Sequence, residues 1–206
     1  MVITISRQYA SGGTEVGKKV ADALGWHLLD GDLIEQVASR AGVSPDEVAS
    51  LEERTPSFLE RLIRFTAAEM PDLFVPASAP VEEFEEAKLV RVTARLVHES
   101  ASRGRVVIVG RAASAILADE PAAIHVRLVA PHDMRVERAT AILGTDPERA
   151  ARLLDETDSE RTRYFREYYD RDPDDAIHYD LVLNTGRLGV DGAANLVVAR
   201  ARALGW

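Results

Sequence analysis

The chain has 206 residues, with 25 basic and 34 acidic side chains and a formal net charge of −9, which argues against a protein that coats nucleic acid through a general basic surface. It has no cysteine, so disulfides, thiol nucleophiles and Cys-bound zinc or iron–sulfur centres drop out together. No apolar run approaches the roughly 20 residues that span a bilayer and no signal-peptide pattern opens the chain, so a cytoplasmic protein of one domain, or one with an insertion, is expected.

Val2-Ile3-Thr4-Ile5 is a β-branched run and predicts a first strand. A glycine-bearing stretch, 6–13, follows. Val16, Val20, Ala23 and Leu24 then fall at helical spacing until Gly25 stops them. Residues 26–29 predict a second strand ending in Asp30-Gly31-Asp32, and Asp32 can cap a helix through Val37 and Ala38. Ser44-Pro45-Asp46-Glu47 and Thr55-Pro56 are helix starts. A proline-bearing loop covers 70–80. A long charged helix covers 82–102, with Leu89, Val90, Leu96 and Val97 as its expected buried side.

Arg105-Val106-Val107-Ile108-Val109-Gly110 is a continuous apolar run, as expected for a strand covered on both faces of a parallel sheet. Further strands are predicted over 124–129 and 180–184. Helices are predicted over 131–143, 147–169 and 191–204. Five short strands separated by helices imply an α/β fold with a parallel sheet and right-handed crossovers. Ligands then sit beyond the C-terminal strand ends.

A strand, a glycine loop and a helix together present N–H groups and a helix N-terminus to an anion. The usual phosphate loop, G-x-x-x-x-G-K-[ST], fits in two registers. One reads Arg7-Gln8-Tyr9-Ala10-Ser11-Gly12-Gly13-Thr14, with Thr14 as the metal-binding hydroxyl, Arg7 in place of the first glycine and Gly13 in place of the lysine. The other starts at Gly12 and ends Gly17-Lys18-Lys19. The first is preferred, because it leaves a helix of eleven residues instead of less than two turns. In that register Lys18, leaning toward the helix N-terminus, or Arg7, reaching across, is the expected substitute for the lysine.

Ile5-Ser6-Arg7-Gln8-Tyr9 with Ser11-Gly12-Gly13, then Val107-Ile108-Val109-Gly110-Arg111, then Thr157-Asp158-Ser159-Glu160-Arg161 with Tyr164, Tyr168 and Tyr169, and finally Tyr179-Asp180-Leu181-Val182-Leu183-Asn184-Thr185 follow one another along nearly the whole chain. Together they resemble the cytidylate kinase-like family, a branch of the nucleoside monophosphate kinases. The resemblance implies a three-layer P-loop kinase fold with a five-stranded parallel sheet. It also implies an acceptor-binding helical arm at about 32–103, a helical lid at about 132–171, ATP as donor, and magnesium. Arg111 matches the arginine of a Gly-Arg-Asp turn that faces the acceptor, with Ala112 where the aspartate stands. Asp158 and Arg161 match a lid Asp and Arg three residues apart, and Arg135 and Arg138 match basic positions at the lid's start. A second departure lies at Thr14, where the family more often carries Arg.

The positive charge is almost all arginine, 22 Arg against 3 Lys, and eight of the 22 lie between Arg135 and Arg171. Codon bias and helix-surface ion pairs account for part of this. The remainder suits forked recognition of phosphate. Arg135, Arg161 and one of Arg138 or Arg152 are expected to face the site. The expected roles are as follows. Arg111, Arg135, Arg161 and Lys18 act on the transferring phosphoryl group. Arg7, Ser11, Gly12, Gly13 and Thr14 hold ATP, with Thr14 on magnesium. Asp30, Asp32, Arg111, Asp158 and Arg161 hold the acceptor, CMP or dCMP by resemblance. Tyr164, Phe165, Tyr168 and Tyr169 are expected to pack within the lid. The five histidines are scattered, and Ser6 and Ser11 have no base nearby in sequence, which disfavours hydrolase triads. A nucleotide-binding module with weakened catalysis, or a kinase of another small acceptor, are the alternatives. The 62–97 helices with their acidic stretch offer a face for a homodimer.

Overall fold

The computed structural model describes residues 1–30 and 81–206, with side chains of the 81–103 helix described from residue 89. Asp32, the helices expected over 32–65 and the loop at 70–80 lie outside the described residues. So does most of the expected homodimer face. The chain divides into two compact units, residues 1–30 with 97–206, and residues 31–96. Of the second, residues 81–96 are described, as helix.

The described elements are, in order, β1 (Val2–Arg7), α1 (Gly13–Leu24), β2 (His27–Leu29), α2 (Val81–Arg103), β3 (Val106–Val109), α3 (Ala113–Ile116), β4 (Ala123–Val129), α4 (His132–Leu143), α5 (Pro147–Tyr169), a 3-10 turn (Ala176–His178), β5 (Leu181–Asn184) and α6 (Thr185–Ala203). On α2, Leu89, Leu96 and Val97 are buried and Val90 half-buried.

The five strands form one sheet in the order β2-β3-β1-β4-β5, every pair parallel. Parallel neighbours need crossovers, which the intervening helices supply. The strand order reverses at β1, so the loop after β1 lies where ligands enter sheets of this kind. Alternation along β1 sends Ile3 and Ile5 to one face. There they join Val107, Val109, Ile124, Val126 and Leu128 against Val16 and Val20 of α1 and Val197 and Ala201 of α6. Thr4 and Ser6 point to the opposite face, opposite His125 and Arg127 in register.

Two boundaries differ from the sequence expectation. β1 runs on through Ser6 and Arg7, because both pair with β4. α6 begins at Thr185, six residues before the expected start, capped by the Asn184 side chain on the N–H groups of Gly186 and Arg187. The helical run is interrupted at Gly189, whose φ of 67° and ψ of 171° break the pattern that helix reading depends on.

Candidate functional site

The loop after β1 is anchored on both sides. The Gln8 N–H donates to Leu128 O at 3.0 Å, and Gln8 Oε1 accepts from the Ala130 N–H at 3.1 Å. The Ser11 hydroxyl donates to Gln8 O at 2.8 Å, and Thr185 Oγ1 donates to Ser11 O at 2.7 Å. These bonds fix the loop to the ends of β4 and β5. Gly12 sits in the left-handed region, φ 89°, at the cap of α1, and no side chain caps that helix. Its N-terminal N–H groups are therefore directed into the loop, as in an anion-binding turn. The helix begins at Gly13, so the register with Gly13 in the lysine's place is the one whose loop meets the helix N-terminus.

Lys18 does not reach back. Its ammonium donates to Asp22 Oδ2 at 3.1 Å, one turn further down the helix, and both side chains are two-thirds exposed. An i,i+4 partner on the same face draws it away from the loop. Arg7 does cross the loop. Its stem runs along Gly13 and its guanidinium lies against Gly110, where a Cβ would stand 2.0 Å from Nη1. On the other side of α1, the Thr14 hydroxyl donates to Asp30 Oδ2 at 2.7 Å, bringing together two of the expected residues.

Arg111 follows β3 on a turn in which Gly110, Arg111 and Ala112 have φ values of 78°, 56° and 47°. Two consecutive non-glycine residues in the left-handed region are a strained arrangement. The Gly110 N–H, bonded to Ile5 O at 3.0 Å, holds the turn beside β1. Arg111 is buried, 8% exposed.

Helices α4 and α5 meet the loop at Asp158. Its Oδ1 accepts the Tyr9 N–H at 2.7 Å, and its Oδ2 accepts from Arg135 Nη1 at 2.5 Å. Arg135 is buried and also donates to Ala130 O and Tyr9 O, at 3.2 and 3.4 Å. Arg161 Nη1 lies 3.9 Å from the same carboxylate, and its guanidinium sits 5.6 Å from the Tyr9 ring centroid. Arg138 pairs with Glu15 in the first turn of α1. Of the eight clustered arginines, Arg135, Arg138 and Arg161 thus reach loop or α1 residues. Arg152 is exposed, Arg163 pairs with Glu160, and Arg166 pairs with Asp172. Tyr164, Phe165, Tyr168 and Tyr169 pack on one another, with centroid separations of 5.1 to 6.3 Å.

Beside the loop lies a cavity of about 370 Å³, lined by Ala10, Ala130, Met134, Glu137, Arg138, Ala141, Thr185 and Gly186. Its wall mixes apolar residues with Glu137, Arg138 and Thr185, and its volume is in the range of small-ligand sites.

One cluster escaped the sequence reading. Arg127 is 6% exposed and donates to Ser6 Oγ at 2.9 Å and to Asp174 Oδ1 at 2.6 Å. The Tyr179 hydroxyl lies 3.3 Å from Ser6 Oγ and donates to Pro173 O at 2.9 Å. An arginine inside the apolar run Ile124 to Val129 was the available signal, since a buried charge needs partners. The partner, Asp174, is 47 residues away, and no local pattern announces it.

Among the described residues there is no group of three or more His, Cys, Asp or Glu arranged to hold a metal, and no helix is long and apolar enough to cross a membrane.

The model of the cytidylate kinase-like family matches residues 2–187. A cytidylate kinase of Haloarcula marismortui is 30% identical over 203 residues, covering 96% of this chain and 88% of that protein. Among solved structures, an uncharacterized protein from Eubacterium ventriosum matches at a TM-score of 0.70 and 22% identity, covering 98% of both chains. A shikimate kinase from Bacteroides thetaiotaomicron matches at a TM-score of 0.55 and 14% identity, again over 98% of both.

Proposed function

The chain belongs to the cytidylate kinase-like family, and from that premise we propose that this nucleotide or small-molecule kinase transfers the γ-phosphoryl group of ATP to a nucleoside monophosphate, CMP or dCMP. The observation that carries the reading is the convergence of Arg135, Arg138 and Arg161 on the loop before α1 and its first turn. Arg111 stands on the adjoining strained turn. Phosphoryl transfer asks for two anions held in line and positive groups on the transferring oxygens, and little covalent help from the protein.

In this reading the triphosphate lies along the loop, with Gly12, Gly13 and Thr14 supplying N–H donors, Ser11 holding the loop's shape through Gln8 O and Arg7 lying beneath them. The base enters the cavity of about 370 Å³ between Met134 and Gly186. A phosphate oxygen of the acceptor attacks the γ-phosphorus as the bond to the β–γ bridging oxygen breaks. The products are a nucleoside diphosphate and ADP, and the attacking oxygen is already anionic. Arg111 and Arg161 orient the acceptor phosphate. Asp158 holds both lid arginines and offers an acceptor to the sugar or base.

The Thr14 hydroxyl and Asp30 carboxylate, 2.7 Å apart, fit a magnesium ion, which takes one or two protein oxygens and completes its shell with water and phosphate. When bound, magnesium neutralises charge on the phosphate oxygens. Thr14 and Asp30 would hold it.

A coupled assay of ADP release against a panel of nucleoside monophosphates, with and without magnesium, tests the proposal. Preferred turnover of CMP or dCMP is expected. Gly13 in the lysine's place favours the second reading, a binding module with weakened catalysis. Nucleotide binding with no turnover on any acceptor would select that reading.

A further inference from the structure

The phosphate loop has glycine where a cation is usual, and Lys18 is turned toward Asp22. A different cation stands at the loop. Arg138 projects from α4 so that a Cβ on Gly12 would lie 3.1 Å from its Nη1 and 3.5 Å from its Cζ. Its Nη2 pairs with the Glu15 carboxylate. The guanidinium therefore spans the N-terminus of α1, one terminal nitrogen on Glu15 and the other facing the glycine that caps the helix.

This placement is unfavourable without a counter-charge. The positive end of the helix dipole repels a cation, and Glu15 offsets that repulsion. The side chain is one-third exposed, so an incoming anion has access to it. The same guanidinium forms part of the wall of the cavity beside the loop.

Arg135 and Arg161 reach the loop at Tyr9 and lie on Asp158, and Arg7 directs its guanidinium to Gly110 and the turn carrying Arg111. It lies on the β3 side of the loop. Arg138 lies on the cavity side, between the cavity and the helix N-terminus.

We propose that Arg138 replaces the missing loop lysine as the cation that binds the donor's phosphate chain, with Glu15 as its counter-charge until the phosphates arrive. This rests on the kinase reading above. An arginine supplied from the lid gives this charge a forked shape in place of a point charge. It also makes tight phosphate binding conditional on where α4 stands.

Calorimetric titration of inorganic tripolyphosphate, ATP and adenosine into wild type, Arg138→Ala and Arg138→Gln tests it. Loss of a charge-assisted contact should weaken tripolyphosphate and ATP about tenfold or more, while adenosine changes by less than about threefold. Equal weakening of all three probes would make Arg138 part of the cavity wall only, and would overturn the proposal. So would unchanged tripolyphosphate affinity, or a wild type that binds none. The Gln variant keeps the first two methylenes of the stem and a polar end, and melting curves on both variants identify any that fails to fold. Arg138-dependent tripolyphosphate binding without turnover of any monophosphate would overturn the acceptor reading and leave this inference standing. CMP turnover with unchanged tripolyphosphate binding in both variants would do the reverse.

Discussion

The Tyr9 N–H and the Asp158 carboxylate lie 2.7 Å apart, joining the loop after β1 to a helix 149 residues later. Asp158 accepts Arg135 on its other oxygen and has Arg161 alongside. One carboxylate thus holds the loop backbone and an arginine from each of α4 and α5 together. Asp158→Ala leaves Arg135, buried at 6% exposure, without its anion. Breaking a buried pair from one side costs about 3–5 kcal/mol. Asp158 is one-quarter exposed, so solvent screening reduces this to about 1–3 kcal/mol. Urea unfolding of Asp158→Ala, Arg135→Met and the double variant measures the coupling. Strictly additive effects would show that the contact carries no energy.

Arg111 occupies a strained left-handed position, φ 56°, yet remains buried. A fold tolerates such strain where the side chain's placement matters more than local comfort. Arg111→Ala should lower kcat/KM for the acceptor by about 10²–10³, the range for removing a preorganised charge donor from a transition state. The melting temperature should move little. An unchanged kcat/KM would remove Arg111 from the site.

Gly110 separates these effects in another way. A Cβ there would meet Arg7 Nη1 at 2.0 Å, and the far end of a flexible side chain can move aside. The backbone φ of 78° still disfavours a side chain, by about 1 kcal/mol. Gly110→Ala should therefore destabilise modestly while displacing the Arg7 guanidinium and reducing activity. If that displacement is the cause, adding Arg7→Ala should lower kcat/KM little further. Fully additive losses in the double variant would separate Gly110 from Arg7.

The sheet and its helices were legible because their signals are local. The β-branched run at 2–5 and the apolar run at 105–110 mark strands, and Gly25 and Gly144 stop helices at left-handed caps. The loop was legible for the same reason, as a strand, glycines and a helix in immediate succession. Of the two substitutes weighed for the lysine, Lys18 pairs with Asp22, four residues along, a partner that helical spacing already offered. Arg138 was one of two arginines weighed for the site. Its pairing with Glu15, 123 residues away, is a contact that spacing within a helix cannot reveal, whereas Arg152 is exposed. Arg127 with Ser6 and Asp174 was missed because Ser6 meets it only when β4 pairs with β1, and Asp174 comes from the segment after α5.

Thr4 and His125 form the remaining polar pair inside the sheet. Thr4 Oγ1 lies 2.7 Å from His125 Nδ1, and the threonine is fully buried. Burial lowers the His125 pKa from its ordinary 6.5, against opposing effects of Asp180 and of a backbone bond to Leu117, and Arg171 adds to the lowering. The folded state therefore favours the neutral ring, while the unfolded chain takes up a proton near the ordinary value. Stability contributed by the neutral ring is complete above about pH 6.5 and is lost as pH falls below it toward the folded pKa. The melting temperature of wild type should fall between about pH 7 and pH 5, ahead of the carboxylates, which protonate at lower pH. In His125→Gln the same interval should be flatter, because glutamine can bond Thr4 without taking a proton. Parallel melting curves for wild type and His125→Gln across that interval would show that another group sets the slope.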